Sequence, residues 1–106
     1  MSEQVRASHI LLMYAGSARS TATRTKEEAL AQINALKEQV ANGSDFADLA
    51  KANSDCPSGQ QGGDLGMFGR GMMVPEFDAA AFSMEVGATS DVVETDFGYH
   101  LLQRTA

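Results

Sequence analysis

Apolar positions near the start of the chain form one nearly unbroken run. Residues 5–14 are mostly apolar, and His9 stands among isoleucine, leucine and methionine side chains. A run with so little alternation between apolar and polar positions predicts a strand that is buried on both faces. Positions 15–24 are small and polar, which predicts a surface loop after this strand.

Apolar positions at helical spacing follow the loop. Thr25 and Glu28 have the spacing of a capping box, in which the hydroxyl accepts a free backbone N–H of the first helical turn and the carboxylate accepts the N–H of the capping residue. We expect this helix to end at Gly43, because glycine is favoured just beyond a helix end. Its predicted apolar face comprises Leu30, Ile33, Leu36 and Val40. Ser44 or Asp45 can cap a second, shorter helix. The apolar side of that helix comprises Phe46, Leu49 and Ala50.

Glycine dominates the pattern in the second half of the chain, where six of the ten glycines fall between Gly59 and Gly71. A short strand is predicted within this segment, over residues 65–68. Pro75 suits the first position of a short helix over residues 76–82. Two more strands, at about residues 91–95 and 99–104, complete the chain. This order of elements predicts an α+β domain in which helices pack on a small sheet.

Length and charge narrow the range of functions. A chain of 106 residues, 43% of them apolar, is typical of one compact domain with a single core. We therefore expect residues 1–106 to form a single domain, and nothing in the pattern requires an obligate partner, so a monomer is expected. The formal net charge of −6 argues against a nucleic-acid partner, because phosphates favour a basic surface.

Cysteine usage and the first residues bear on the cellular compartment. Cys56 is the only cysteine, so no internal disulfide is possible, which fits a reducing cytoplasm. The first six residues lack the build of a signal peptide, and no apolar run reaches membrane-spanning length. These features predict a cytoplasmic protein without a membrane partner. An exported or periplasmic location is expected instead if this is a domain of a longer chaperone.

Three residues are candidates for chemistry: His9 in the first strand, Cys56 after the second helix and His100 in the last strand. A lone histidine in an apolar strand is most often a hydrogen-bonded core residue. Two of them in strands at opposite ends of the chain could meet at the centre of a small sheet.

Cys56 by itself is most often interpreted as a small buried apolar residue. A Cys–His nucleophile pair lacks an evident orienting residue and oxyanion hole. A metal site is disfavoured, because the close pair spacings of zinc ligands are absent.

The glycine-rich segment allows two interpretations, as part of the hydrophobic core or as part of a ligand-binding site. It lacks the G-x-G-x-x-G and G-K-[ST] spacings that would predict phosphate binding. Methionine and phenylalanine side chains accumulate there, and such a cluster is usually core, although methionine also suits an adaptable apolar pocket. The cluster comprises Leu65, Met67, Phe68, Met72, Met73, Phe77 and Phe82.

Five segments, in order and with matching gaps, resemble the signature of the parvulin-type peptidyl-prolyl cis/trans isomerases. They are V-R-A-S-H-I-L-L at 5–12, S-D-C at 54–56, G-G-D-L-G at 62–66, M-V-P-E-F at 73–77 and T-D-F-G-Y-H at 95–100. The resemblance covers essentially the whole chain and lies nearest to the small bacterial and archaeal single-domain members. It implies a four-stranded antiparallel sheet surrounded by about four helices. It also implies rotation of X-Pro bonds, without a cofactor, in peptides and in unfolded or partly folded proteins.

Carried over position by position, the resemblance assigns roles to individual residues. His9 and His100 match the paired histidines of the family's active site, and Cys56 matches its cysteine-or-aspartate position. Thr95 matches a threonine that hydrogen-bonds to the histidines, whereas Phe97 stands where some members have a serine. The residues that match the pocket for the substrate proline ring are Leu65, Met73 and Phe77.

The sequence departs from the phosphate-directed members of the family in the loop after the first strand. Phosphate-directed parvulins carry a basic cluster in the loop after the first strand, and here the first position of that cluster is Met13. The loop offers mainly Arg19, with Arg24 further on. Because selection of a phosphoserine requires several charge-assisted hydrogen bonds, we expect little phosphate dependence. Arg19 is the candidate contact for a charged substrate residue.

Two other functions stay open from the sequence. One is a chaperone module that binds proline-containing segments with little catalysis, although the intact set of His9, Cys56 and His100 argues against it. The other is a thiol hydrolase that uses Cys56 with a histidine.

Overall fold

A computed structural model of the chain describes residues 4–17, 20 and 22–106. In chain order its elements are strand β1 (Gln4–Leu12), helix α1 (Lys26–Ala41), helix α2 (Phe46–Asn53), a 3-10 helix (Pro57–Gln61), strand β2 (Asp64–Gly69), helix α3 (Pro75–Ser83), strand β3 (Val93–Thr95) and strand β4 (Gly98–Arg104).

The four strands form one antiparallel sheet in the order β2-β1-β4-β3. The first and last strands are therefore central neighbours, and they pair without a break from Ala7 opposite Arg104 to Leu12 opposite Tyr99. Three α-helices and one 3-10 helix surround the sheet. The predicted α+β class, the four antiparallel strands and the adjacency of the terminal strands are confirmed.

A separate apolar cluster packs against each face of the sheet. On β1, Ile10 and Leu12 belong to the cluster formed with α1 and α2, whereas Val5 and Ala7 belong to the cluster formed with α3. On β4, Leu101 faces the first cluster and Leu102 the second. This alternation is the period of two that a pleated strand imposes. It explains why neither central strand has an alternating sequence, since both of its faces are buried.

Helix α1 begins as predicted but turns a different residue inward. Thr25 and Glu28 form the complete capping box, with reciprocal bonds of 3.1 and 2.8 Å. The buried stripe consists of Ala29, Ile33 and Leu36, while Leu30 is 39% exposed, so its assignment to the apolar face was wrong. Positions 29, 33 and 36 follow the i, i+4, i+7 spacing of one helical face, and position 30 lies about 100° away from position 29. Within the described ranges, no helix is long and apolar enough to cross a membrane.

Strand β3 is shorter than predicted, because a serine side chain takes over part of its pairing. The hydroxyl of Ser90 accepts the N–H of Leu102 at 3.0 Å, and the N–H of Ser90 bonds the carbonyl of Leu102 at 2.8 Å. Regular pairing with β4 starts only at Val93, which lies opposite His100. Residues 91 and 92 therefore form an irregular segment at the edge of the sheet.

Candidate active site

The central strand pair brings the two histidines together. Leu11 lies opposite His100 and Leu102 opposite His9, so the histidines are diagonal neighbours on the face that is covered by α3. Their rings stack with centroids 5.4 Å apart and planes 18° apart, and their Nδ1 atoms are 3.2 Å apart. Phe77 on α3 contacts both rings edge-on, at 5.6 Å in each case. The histidine pair is thus enclosed between the sheet and an aromatic ring.

Burial decides the charge of this pair. Burial lowers the pKa of His9 to about 4, because a charged ring would lose its hydration. Burial, and after it the neighbouring His9, lower the pKa of His100 to about 3. Both rings are therefore neutral at pH 7, and each carries one hydrogen. The 3.2 Å contact between the Nδ1 atoms then requires that one of these nitrogens donates and the other accepts.

Thr95 anchors the outer end of the pair. Its Oγ1 lies 2.7 Å from Nε2 of His100 and also accepts the backbone N–H of Phe97 at 3.2 Å. The tight turn from β3 to β4, which ends at Gly98, makes this contact possible. A side chain on Gly98 would lie 2.3 Å from the carbonyl oxygen of Leu12, so only glycine fits where β4 approaches β1.

The segment before Cys56 is bound to the end of β1. The N–H of Asp55 donates to the carbonyl of Leu11 at 2.7 Å, and the carboxylate of Asp55 accepts the N–H of Met13 at 2.9 Å. Arg24 forms an ion pair with the same carboxylate and donates to the carbonyl of Met13 at 2.8 Å. These bonds hold Cys56 beside the strand that carries His9.

Ser58 lies between Cys56 and His9, in a 3-10 helix that the sequence analysis did not predict. Its hydroxyl is 3.2 Å from Sγ of Cys56 and 3.1 Å from Nε2 of His9. Pro57 stands at the start of this helix, and Gly62 ends it in the left-handed region. Gly63 follows, and its carbonyl accepts the N–H of His9 at 2.9 Å.

A small apolar cavity of about 180 Å³ opens beside these groups. The residues that line it are His9, Cys56, Leu65, Met73, Val74, Phe77, Phe97 and His100. The three residues predicted for the proline pocket are all among them. Sequence reasoning missed Val74, although it lies inside a quoted segment, and it treated Phe97 only as a lost serine rather than as an apolar wall.

The methionine and phenylalanine cluster divides between core and cavity. Phe68, Phe77 and Phe82 are buried together, and Leu65 and Met73 pack against them from the cavity side. The two remaining residues, Met67 and Met72, are exposed by 53% and 68%. The cluster therefore contributes three phenylalanines to the core, and Leu65, Met73 and Phe77 line the apolar cavity.

Other features of the described structure carry less chemistry. A wider depression of about 520 Å³ lies along the outer side of α1, but none of the candidate residues lines it. Among the described residues, no group of three or more His, Cys, Asp or Glu side chains could hold a metal ion. Arg19, the predicted contact for a charged substrate residue, lies outside the described residues.

The comparison with protein families fits this geometry. The family model described as the PPIC-type PPIase domain matches residues 1–106. The chain belongs to the parvulin-type peptidyl-prolyl cis/trans isomerases. The resemblance drawn from the five segments is thereby confirmed, and the activity is that of an enzyme acting on proline-containing peptides.

Individual relatives support the family assignment of this isomerase. It is 41% identical over 115 residues to the peptidyl-prolyl cis-trans isomerase Pin1 of Digitalis lanata, with 98% of each chain covered. The solution structure of TbPIN1 matches with a TM-score of 0.91 and 36% identity, over 100% of both chains. Peptidyl-prolyl isomerase ESS1 from Candida albicans matches with a TM-score of 0.90 and 37% identity, over 97% of this chain and 63% of that one. The similarity therefore extends to plant and fungal members.

Proposed function

We propose that residues 1–106 act as one isomerase domain that turns X-Pro bonds without forming a covalent intermediate. The observation that carries this proposal is the apolar cavity of about 180 Å³, whose walls include the neutral histidine pair and Cys56. Pockets for drug-sized ligands are typically about 300–1,000 Å³, so this cavity suits one small ring. Leu65, Met73 and Phe77 would hold the proline ring there.

Rotation of the bond requires no group that forms a bond to the substrate. The barrier of about 18–20 kcal/mol arises from resonance in the C–N bond. Twisting the bond removes this resonance, so the carbonyl loses polarity and the proline nitrogen gains a basic lone pair. A site that excludes water disfavours the planar, polar amide and binds the twisted form better. A thousandfold acceleration requires about 4 kcal/mol of this preference.

Cys56 lies where it can contact the rotating carbonyl. It lines the cavity together with His9 and His100, but its sulfur bonds Ser58 rather than a histidine directly. A thiol hydrolase would require the histidine to take the thiol proton. The bond to Ser58 therefore favours a noncovalent role for Cys56, with His9, His100 and Thr95 setting the polarity around the thiol.

Phosphate recognition is not expected of this site. Arg24, which follows the loop after β1, is engaged by the carboxylate of Asp55 and the carbonyl of Met13. An arginine with two acceptors already in place has less capacity for the bidentate bonds that select a phosphate. The chain's net charge of −6 also disfavours a dianionic substrate.

The wider role that we propose is assistance to folding of unfolded or partly folded proteins, by a monomer in the cytoplasm. An apolar cavity with few polar contacts recognises the proline ring rather than a long sequence motif, which suits varied substrates. The alternative function is a chaperone module that binds proline-containing segments with little catalysis. It would use the same cavity, so only a rate measurement separates the two.

The decisive experiment measures isomerisation of Ala-X-Pro-Phe peptides, where X is Glu, Lys, Leu or phosphoserine, by exchange NMR. We expect the isomerase to accelerate exchange, and Phe77→Ala to reduce that acceleration at least tenfold, since loss of one buried aromatic contact exceeds about 1.4 kcal/mol. The control is Met67→Ala, which changes an exposed side chain and should leave the rate unchanged. A folded protein that accelerates none of the peptides would establish the binding module instead.

A further inference from the structure

A continuous series of hydrogen bonds runs from the backbone of Phe97 to the sulfur of Cys56. The series passes through Thr95 (3.2 Å), His100 (2.7 Å), His9 (3.2 Å) and Ser58 (3.1 Å), and it ends at Sγ (3.2 Å). Every member between the two ends can both donate and accept a hydrogen bond. The direction of the whole series is therefore decided wherever one member can only donate or only accept.

The backbone N–H of Phe97 is such a member, because an amide N–H can only donate. Thr95 Oγ1 accepts this bond, and its own hydrogen is then available for Nε2 of His100. A neutral His100 that accepts at Nε2 carries its hydrogen at Nδ1. That hydrogen points at Nδ1 of His9, so His9 carries its hydrogen at Nε2 and donates to Ser58.

If the hydrogen bonds of the series ran in the opposite direction, one donor would have no acceptor. It would place a hydrogen on Nε2 of His100 that also points at Thr95 Oγ1, so that Thr95 would accept twice. Its hydroxyl hydrogen would then have no acceptor among the bonds of the described residues. Thr95 is only 6% exposed, and a buried donor without an acceptor is costly. The direction toward sulfur satisfies every member.

We propose that Ser58 is a positioning residue of the active site. Its hydroxyl accepts the Nε2–H of His9, and its own hydrogen is therefore donated to the sulfur of Cys56. This inference rests on the proposed function. The donated bond occupies a lone pair of the sulfur and directs the thiol hydrogen away from Ser58, where it can meet the substrate carbonyl. Ser58 itself does not line the cavity, so it acts through Cys56 and not on the substrate.

The test reads the tautomers directly, in long-range nitrogen–hydrogen NMR correlation spectra of the isotope-labelled full chain at pH 7. We expect the hydrogen on Nε2 in His9 and on Nδ1 in His100. The reverse assignment, with Nδ1–H in His9 and Nε2–H in His100, would overturn the inference. This measurement needs no variant, so it stands even if every substitution of Ser58 fails to fold.

Variants then test the role of Ser58. Ser58→Ala removes the acceptor of His9 and the donor to Cys56 but leaves the Thr95 end that fixes the tautomers, so we expect both histidines to keep their tautomers. We also expect slower alkylation of Cys56 by iodoacetamide, by about two- to tenfold, the range that one typical hydrogen bond represents. Ser58→Thr keeps the hydroxyl and should restore the alkylation rate of the wild type. Ser83→Ala, at an exposed serine that bonds the carbonyl of Ala80, is the matched control and should change neither readout.

Peptide kinetics separate this inference from the proposed function. Ser58→Ala should lower kcat about two- to tenfold with little change in KM, because the cavity wall is intact. Unchanged alkylation and unchanged kcat in Ser58→Ala would refute the positioning role while leaving the isomerase function intact. Expected tautomers in a wild-type protein without turnover would refute the proposed function instead, and with it the role of Ser58 in catalysis.

Discussion

His9 and His100, whose Nδ1 atoms are 3.2 Å apart, are brought into contact by the pairing of β1 with β4 and are held neutral by burial. Burial lowers the pKa of His9 to about 4 and the pKa of His100 to about 3. The ordinary value in an unfolded chain is about 6.5. The histidine pair therefore links the stability of the fold to pH.

The free energy of unfolding should fall as the pH falls below 6.5. Above this pH both the folded and the unfolded chain have neutral histidines, so the stability due to neutral rings is fully present. Below it the unfolded chain binds two protons that the folded chain does not bind until pH 4 to 3. The expected slope approaches about 2.7 kcal/mol per pH unit for two histidines, measured by urea denaturation between pH 6 and pH 5.

Between pH 6 and pH 5 the change in unfolding free energy reports the histidines rather than the paired carboxylates. Ion pairs with Lys37 and Lys26 hold the pKa values of Asp91 and Glu94 below their ordinary range, so these groups titrate at lower pH. In His100→Gln, whose amide can still bond Thr95, the slope should fall by about half. An unchanged slope in this variant would show that other groups cause the acid sensitivity.

Cys56→Asp should retain substantial isomerase activity. The carboxylate would accept the hydrogen bond of Ser58, and bond rotation requires no nucleophile. We expect kcat/KM within about tenfold of the wild type, a change in transition-state free energy below about 1.4 kcal/mol. Complete loss of activity in a folded variant would speak for a covalent role.

The matched variant for this prediction is Cys56→Val. Valine has a similar apolar bulk but leaves Ser58 without an acceptor, so we expect a larger loss of activity than in Cys56→Asp. The same peptide assay measures both variants. If valine is tolerated better than aspartate, the polarity of position 56 is unimportant for rotation.

Phosphoserine before proline should give little advantage. Arg24 is paired with Asp55, so we expect peptides with phosphoserine to react less than about tenfold faster than peptides with leucine, a difference below about 1.4 kcal/mol. Arg19→Ala tests the remaining basic residue of the loop. A selective loss of activity toward phosphoserine and glutamate in that variant would show that Arg19 contacts substrate charge.

Gly63→Ala should destabilise the fold and displace His9. A Cβ at position 63 would lie 2.3 Å from the carbonyl oxygen of His9, with φ at +82°. Gly66→Ala is the matched control, because Gly66 has φ of +71° but open space around it. The control should lose about 1–2 kcal/mol of unfolding free energy, from backbone strain alone.

The difference between the two glycine variants isolates the contact with His9. We expect Gly63→Ala to lose at least about 2 kcal/mol more than Gly66→Ala, in urea denaturation at pH 7. Its histidine signals in NMR spectra should also move, whereas those of Gly66→Ala should stay in place. Equal losses in both variants would mean that the backbone absorbs the clash.

Much of the site could be predicted because its residues lie in segments with strong local patterns. His9 and His100 interrupt apolar strands, and the adjacency of those strands follows from small-sheet topology. Ser58 could not be found in this way. A serine two residues after a cysteine carries no signal, and it reaches His9 only because the 3-10 helix folds the chain back.

The errors in helix α1 and at the sheet edge have a related cause. Leu30 and Ala29 are adjacent in sequence, and the alanine is the one that faces the sheet. Apolar character alone favours the larger side chain, whereas the space available against the sheet is decided by packing. The side chain of Ser90 likewise replaces a backbone partner of β4, which no periodic pattern can indicate.

The pairing of β1 with β4 also bears on the order in which the fold and the candidate active site form. His9 and His100 are 91 positions apart in the chain, and contacts between such distant segments form slowly because a long loop must close first. Helices α1 and α2 depend on local contacts and can form earlier. A nascent chain whose last strand is still inside the ribosome lacks the centre of the sheet and half of the histidine pair. If rotation needs both histidines, as proposed, we expect the isomerase to gain activity only after β4 has paired with β1.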